Sequence, residues 1–279
     1  MKKFKIGLQL YSVRDDLKKD FEGTLQKIKK MGYDYVEFAG YYNRSAEEIK
    51  EILGRIGLEA MSVHQTYVAL LEDEKATVDY IKALGVKYYA IPWMNIEKLT
   101  DPENYKNTID EFKKAGKILK DAGIQFLYHN HDFEFTNKIG DKTAFDTLYE
   151  AVPSDLLETE IDTCWVRYAG YDPAAYIREY SGRAHVVHLK DFICKNFNMG
   201  PVYALIDSNG NDSEKPKSKD EVGFEFRPIG SGVQDIPSIL EAAEEAGAEY
   251  LIVEQDLAST ASPLECAKQS REYLKSLGQ

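Results

Sequence analysis

Asp121-Ala122-Gly123-Ile124-Gln125-Phe126-Leu127-Tyr128-His129-Asn130-His131 is the stretch from which the rest of the chain can be read. A helical pattern stops at Gly123, an apolar run follows, and the run gives way to histidines and then to Asp132 and Glu134. Glycine suits the left-handed residue that closes a helix. A strand that is apolar along its length and polar only at its exit is a buried parallel strand with a site on its tip. His129 and His131 are two residues apart, so in extended chain they share a face.

Outward from this stretch the same unit recurs. Lys30-Met31-Gly32 precedes Tyr35–Phe38, Arg55-Ile56-Gly57 precedes Ala60–His64, and Ala83-Leu84-Gly85 precedes Tyr88–Ile91. Tyr180-Ser181-Gly182 precedes Ala184–His188, and Glu245-Ala246-Gly247 precedes Tyr250–Glu254. Lys5–Gln9 and Leu156–Asp162 bring the strands to eight, and a last helix is predicted over Pro263–Leu277. Strict alternation of strand and helix implies parallel strands joined by right-handed crossovers. Eight such units in 279 residues predict a single (β/α)8 TIM barrel domain over residues 1–279. A doubly wound open sheet fits less well, because no glycine-rich phosphate turn follows Lys5–Gln9. Residues 193–228 interrupt the rhythm with a long, turn-rich, charged stretch. Following a barrel strand, this stretch is either a lid over the site or a solvated excursion.

Composition narrows the function. The net charge of −12 opposes nucleic acid or an anionic membrane as a partner. Three cysteines, Cys164, Cys194 and Cys266, show no paired spacing, which fits a reducing compartment. The start is basic, but its apolar part is broken by Gln9, Arg14 and Asp15, and no apolar run reaches membrane-spanning length. A cytoplasmic protein is expected, and self-association stays open.

Barrels of this kind carry their sites at the carboxyl ends of the strands. Those ends hold Gln9, Glu37, His64, Trp93, His129 with His131, Glu160 with Asp162, His188 with Lys190, and Glu254 with Asp256. Four of the five histidines fall on this one rim. Imidazoles mixed with carboxylates are the donors for a divalent ion such as Mn²⁺, Co²⁺, Mg²⁺ or Zn²⁺. Such an ion can polarise a carbonyl and stabilise a developing enediolate. Each residue also has a plainer role available. His188 suits a hydrogen-bonded core position, Asp162 suits a turn cap, and Glu160 suits an ion pair with Lys190. Trp93 and Trp165 suit the core, although a ring at a barrel mouth also suits the apolar face of a sugar. Glu254 is harder to place otherwise, because a carboxylate ending a buried strand is costly unless paired or metal-bound.

The ordered series of strand motifs resembles the xylose-isomerase-like barrels, which include sugar-phosphate isomerases and epimerases, inosose dehydratases and endonuclease IV. The series comprises Leu8-Gln9-Leu10-Tyr11-Ser12, Val36-Glu37, Ser62-Val63-His64, Tyr128-His129-Asn130-His131, Ile161-Asp162-Thr163, His188-Leu189-Lys190-Asp191, Ile229-Gly230-Ser231-Gly232 and Val253-Glu254. The resemblance implies one divalent metal ion held by Asp162, His188 and Glu254, and Glu160, outside the family's set, is the candidate for a fourth ligand. It departs at strand five, where His129 stands in the place of the glutamate that pairs with Glu254 in related ketose epimerases. A two-carboxylate proton shuttle therefore does not carry over, and His129 becomes ligand or base. Lys190 or His131 would stabilise charge on substrate oxygens. Gln9, Glu37, His64, Trp93 and Trp165 would contact a small sugar or polyol-ketone substrate. Isomerisation or epimerisation through proton abstraction next to a carbonyl is the activity implied, with dehydration or another lyase reaction as the alternative. A non-catalytic sugar-binding barrel is the reading from a different class. Endonuclease IV is disfavoured, since its three-zinc cluster needs more histidines and the acidic charge opposes DNA.

Overall fold

Eight parallel strands have almost every side chain buried, because one face looks into a barrel and the other under a helix. The computed structural model describes residues 2–197 and 223–279. The strands are β1 (Lys5–Gln9), β2 (Tyr35–Ala39), β3 (Glu59–His64), β4 (Tyr88–Ile91), β5 (Gln125–His129), β6 (Glu158–Asp162), β7 (Val186–Leu189) and β8 (Tyr250–Val253). They close in the order β1-β8-β7-β6-β5-β4-β3-β2, with every pairing between them parallel. The predicted (β/α)8 barrel is the observed fold.

The outer layer is formed by α1 (Phe21–Met31), α2 (Ala46–Ile56), α3 (Glu74–Leu84), α4 (Pro102–Asp121), α5 (Ala144–Ala151), α6 (Pro173–Glu179), α7 (Ile236–Ala246) and α8 (Pro263–Ser276). Local chemistry sets their ends. Asp101 caps α4 by accepting from the amides of Glu103 and Asn104, and Pro102 occupies the first turn, where no amide is needed. Gly32 and Gly57 close α1 and α2 in the left-handed conformation, as expected from their spacing. Strand six starts later than Leu156, because the amides of Leu156 and Leu157 turn back to the Pro153 carbonyl. Two short antiparallel pairs add to the barrel, Lys138–Ile139 with Lys142–Thr143 and Asp191–Ile193 with Glu225–Arg227. The second pair brackets much of the stretch read as a lid or a solvated excursion, whose residues 198–222 lie outside the described residues.

Inside the barrel the chain forms two levels. Met61, Tyr88, Ala90, Leu127, Val186, Tyr250 and Ile252 form an apolar floor, with Tyr35 packed against it. Toward the carboxyl ends the interior becomes polar. β3 makes that change possible with an irregularity: Val36 pairs with Ala60 but Glu37 with Ser62, so Met61 is an extra residue on its strand. Met61 joins the floor, Val63 packs outward under the helices, and His64 comes back to face the interior. Met61 and His64 are three apart and would face opposite ways in an unbroken strand. The bulge re-aims the histidine.

Candidate active site and metal centre

The carboxyl-end level gathers most of the residues singled out in the sequence. Gln9, Glu37, His129, Glu160, Asp162, His188, Lys190, Glu254 and Asp256 are all buried. Neighbouring strands set their spacing, with Gln9 in register with Glu37, His129 with Glu160, and Asp162 with His188. His64 Nε2 lies 2.7 Å from Glu160 Oε2 and 3.2 Å from Glu37 Oε2. His188 Nε2 lies 2.8 Å from Glu37 Oε2 and 3.5 Å from Glu160 Oε2, while its Nδ1 is 3.1 Å from Glu254 Oε2. His129 faces Glu160 Oε2 with Nδ1 at 3.3 Å, and Asp162 Oδ2 with Nε2 at 3.5 Å. Lys190 Nζ sits among three carboxylates, 3.0 Å from Asp162, 2.9 Å from Glu254 and 3.1 Å from Asp256. Glu160 is therefore the partner of His64 and not of Lys190.

Two overlapping sets of side chains offer their donor atoms within 4.8 Å of one another, His64, His129, Glu160 and His188, and His129, Asp162, His188 and Glu254. Buried Glu37 Oε1 and Glu160 Oε1 have no hydrogen-bond partner among the described residues. Among the described residues, five carboxylates share this buried region with a single lysine. Uncompensated buried anions are costly, so the region calls for further positive charge. A cluster of this composition can hold a metal ion.

The electrostatics follow from that crowding. Burial disfavours the His64 imidazolium, yet Glu37 and Glu160 reverse the balance and raise its pKa to about 10. Burial acts against His188 in the same way, and Glu160 and Glu37 lift it well above the usual histidine range. Burial would raise the Glu37 carboxyl, but His64 and His188 hold it well below the ordinary value. Glu254 is also lowered, because Lys190 and His188 outweigh its burial. Asp162 goes the other way, burial raising it despite the ammonium beside it. His129 is kept neutral by burial and by the positive neighbours His188, His64 and Lys190, which push its pKa well below the usual value. Burial and Lys190 bring His131 down to about 3.

His131 sits beyond the strand end, 5.4 Å from the ring of His129, between stacked Phe133 at 5.4 Å and Trp165 at 5.5 Å. Trp165 is wholly buried, with Lys190 Nζ 5.2 Å from its ring. Trp93 is not brought into the cluster. It is 41% exposed, its ring edge-on to Phe133 at 6.3 Å. Gln9 donates to Glu37 Oε2 at 2.9 Å and accepts from the Tyr11 amide at 3.0 Å.

Three residues that hold the site appear in the sequence motifs but were given no role there. Asn130 lies between the two histidines and joins β5 to β6, accepting from the Asp162 amide at 2.9 Å and donating to the Asp162 carbonyl at 3.3 Å. Glu134 accepts from the Tyr128 hydroxyl and from the His131 amide, fixing the turn that carries His131. Asp191 accepts from the amides of Gly230 at 3.0 Å, Gly232 at 2.9 Å and Gln234 at 3.1 Å, anchoring the loop before α7 to the end of β7. Asn130 and Asp191 adjoin residues that were singled out, and Glu134 follows three residues after His131. Their signal is a polar residue with nowhere to go but the interior.

Residues 25–277 match the family model described as xylose isomerase-like TIM barrel. The chain belongs to this family. Among curated relatives, an inosose dehydratase of Clostridium perfringens is 25% identical over 285 residues, covering 91% of this chain and 89% of the relative. Among solved structures, a sugar phosphate isomerase/epimerase from Parabacteroides distasonis superposes with a TM-score of 0.78 at 23% identity, covering 98% of each chain. The IolI protein, with a bound zinc atom, superposes with a TM-score of 0.70 at 15% identity, covering 98% of this chain and 97% of that one. At these identities the structural likeness shows the fold. No helix among the described residues is long and apolar enough to cross a membrane.

Proposed function

We propose that this family member is a divalent-metal-dependent lyase that removes water, or another oxygen substituent, from a small polyhydroxylated ketone. The observation that carries this reading is that a neutral histidine and an ammonium share the same carboxylates. His129 Nε2 lies 3.5 Å from Asp162 Oδ2 and 3.9 Å from Glu254 Oε2, and Lys190 Nζ contacts the same two oxygens at 3.0 and 2.9 Å. A base and an acid side by side suit an elimination in which the proton and the leaving oxygen depart from one face. An epimerase needs its two proton-transfer groups on opposite faces of the substrate.

The chemistry assigns each group a task. A metal ion held by the histidine and carboxylate cluster would polarise the ketone and stabilise negative charge on its oxygen. His129, neutral in its buried setting, takes the proton from the carbon next to the carbonyl. The carbon–carbon double bond forms as the β-oxygen leaves, and Lys190 donates the proton that turns this oxygen into water or an alcohol. The proton on His129 returns to Lys190 along the carboxylate oxygens they share. Gln9 holds Glu37 in place, and Trp165, stacked on His131, packs beside Lys190. The inosose dehydratase relatives support a cyclic polyol-ketone as substrate, and the zinc of the IolI protein supports the metal.

The isomerase or epimerase reading shares the first step and differs only in the fate of the carbanion. It draws support from the carboxylates Glu37 and Glu160, which lie on the opposite side of the cluster from Lys190. One experiment separates the two. The purified protein, loaded in turn with Mn²⁺, Co²⁺, Mg²⁺ or Zn²⁺, is incubated in D₂O with inososes and free keto-sugars. Loss of water with a new conjugated-carbonyl absorbance is the expected result. Deuterium at the α-carbon of recovered or rearranged substrate without elimination favours the isomerase. No turnover with any metal, together with saturable sugar binding, makes the chain a binding protein.

A further inference from the structure

We propose that Asp256 is the positioning residue for Lys190, the carboxylate that keeps the ammonium in the site once Asp162 and Glu254 have turned to a metal ion. The inference rests on the metal-dependent reading above, in which Lys190 protonates the leaving oxygen. It gives a task to a buried carboxylate that belongs to neither set of metal donors.

Lys190 divides its charge among three carboxylates. Its Nζ lies 3.0 Å from Asp162 Oδ2, 2.9 Å from Glu254 Oε2 and 3.1 Å from Asp256 Oδ2. Asp162 has one oxygen to offer, because its Oδ1 already accepts from the amides of Cys164 at 2.8 Å and Trp165 at 3.3 Å. Asp162 and Glu254 stand with His129 and His188 in a donor set whose atoms lie within 4.8 Å of one another. An ion in that set and the ammonium of Lys190 therefore draw on the same Asp162 oxygen. With ion-to-donor distances of about 2.0–2.2 Å, the two cations lie no more than about 5 Å apart, and each weakens the other's hold. Asp256 is outside the set, so its charge stays with Lys190.

Asp256 is also held in place without help from Lys190. Its carbonyl accepts from Arg14 Nη1 at 2.9 Å, and the Gln255 amide donates to Ser12 Oγ at 3.0 Å. Gln255 Nε2 reaches on to the Leu257 carbonyl at 3.1 Å. The segment after β8 is thus tied to the segment after β1, and none of these bonds uses the Asp256 carboxylate. On its other side the ammonium has only ring faces, Trp165 at 5.2 Å and Phe226 at 5.8 Å. Rings attract a cation but leave its direction loose, whereas a charge-assisted hydrogen bond fixes it. A lysine on its flexible stem needs that direction to deliver a proton to one oxygen.

The test observes the ammonium itself, by NMR of protein labelled with ¹⁵N-lysine, with Zn²⁺ as the added ion. An ammonium held in buried ion pairs exchanges its protons slowly enough to give an Nζ signal, and Lys190→Met assigns it. The wild type is expected to show the Lys190 signal before and after Zn²⁺. Asp256→Asn, which keeps the carbonyl bonded to Arg14, should show it before Zn²⁺, when Asp162 and Glu254 still hold the ammonium, and lose it afterwards. Asp256→Glu should retain it in both. A signal that survives Zn²⁺ in Asp256→Asn as it does in the wild type overturns the assignment. So does a signal lost in Asp256→Asn before any Zn²⁺ is added, because Asp256 is then part of the frame of the pocket. A wild type that takes up no Zn²⁺ fails the metal-dependent reading and this inference with it. Expected spectra without turnover of any ketone fail the lyase reading alone.

Discussion

At the scale of single residues, the site depends on side chains whose two ends do different jobs. His188 uses one nitrogen for Glu254 and turns the other toward Glu37. Asn130 spends both halves of its amide on the backbone of Asp162. Asn130→Ala should therefore lower stability by about 1–3 kcal/mol in urea unfolding, because it leaves two buried backbone groups unpaired. A loss below a few tenths of a kcal/mol would mean that water reaches Asp162. His129, Asp162, His188, Lys190 and Glu254 were legible because a polar residue ending an apolar run is unusual in a buried strand. Asn130 was not, since amides at strand ends are commonplace. Nor does any sequence pattern tell which nitrogen of His188 meets which carboxylate. Only register and twist decide that.

At the scale of elements, the eight strands were legible because glycine stops and apolar runs recur at regular intervals. The hairpin of Lys138–Ile139 with Lys142–Thr143 was not, since two residues are too few to show a period. Leu156 and Leu157 look like strand and form a turn, because the amides of both bond the Pro153 carbonyl. Gly116, midway along α4, shows packing overruling propensity. Alanine in an exposed helix gains about 0.5–1 kcal/mol over glycine. Here an added Cβ would lie 2.4 Å from the Leu156 carbonyl oxygen, so the backbone must shift at a cost of about 1–3 kcal/mol. Gly116→Ala is expected to destabilise by ~1–2 kcal/mol, and a raised denaturation midpoint would refute the close approach. The turn after β5 carries a pH signature. Burial raises the Glu134 carboxyl from 4.5 to about 8, although the Tyr128 hydroxyl and the His131 amide pull the other way. The folded chain thus holds a proton that the unfolded chain gives up. This contribution is complete below about pH 4.5 and is lost as the pH rises through about 8. Urea unfolding at pH 5 and pH 9 should show that decline in the wild type and a flatter profile in Glu134→Gln.

At the scale of the whole molecule, the barrel pools charges that no single element could bury alone. Glu37, Glu160, Asp162 and Glu254 come from β2, β6 and the end of β8, and their mutual repulsion is relieved only when cations join them. An ion at a hundred times its Kd adds about 2.7 kcal/mol to stability. Removing it with a chelator should lower Tm by roughly 5–10 °C. His188→Gln, which removes a donor common to both candidate sets, should melt at the same temperature with or without chelator, as read by differential scanning fluorimetry. Architecture at this scale was the most legible feature, since a count of eight alternating units leaves few arrangements. The place of Lys190 in the polar interior was not, because it depends on how register and twist bring its ammonium among the carboxylates at the ends of β6 and β8. The bulge at Met61 belongs to this scale too. Run as an unbroken strand from Ala60, whose partner Val36 packs under the helices, the same residues would turn the His64 ring away from the cluster while every functional side chain was still encoded. For this protein the irregularity in an apolar strand is as much a condition of the site as any ligand, and an inventory of active-site residues would not reveal it.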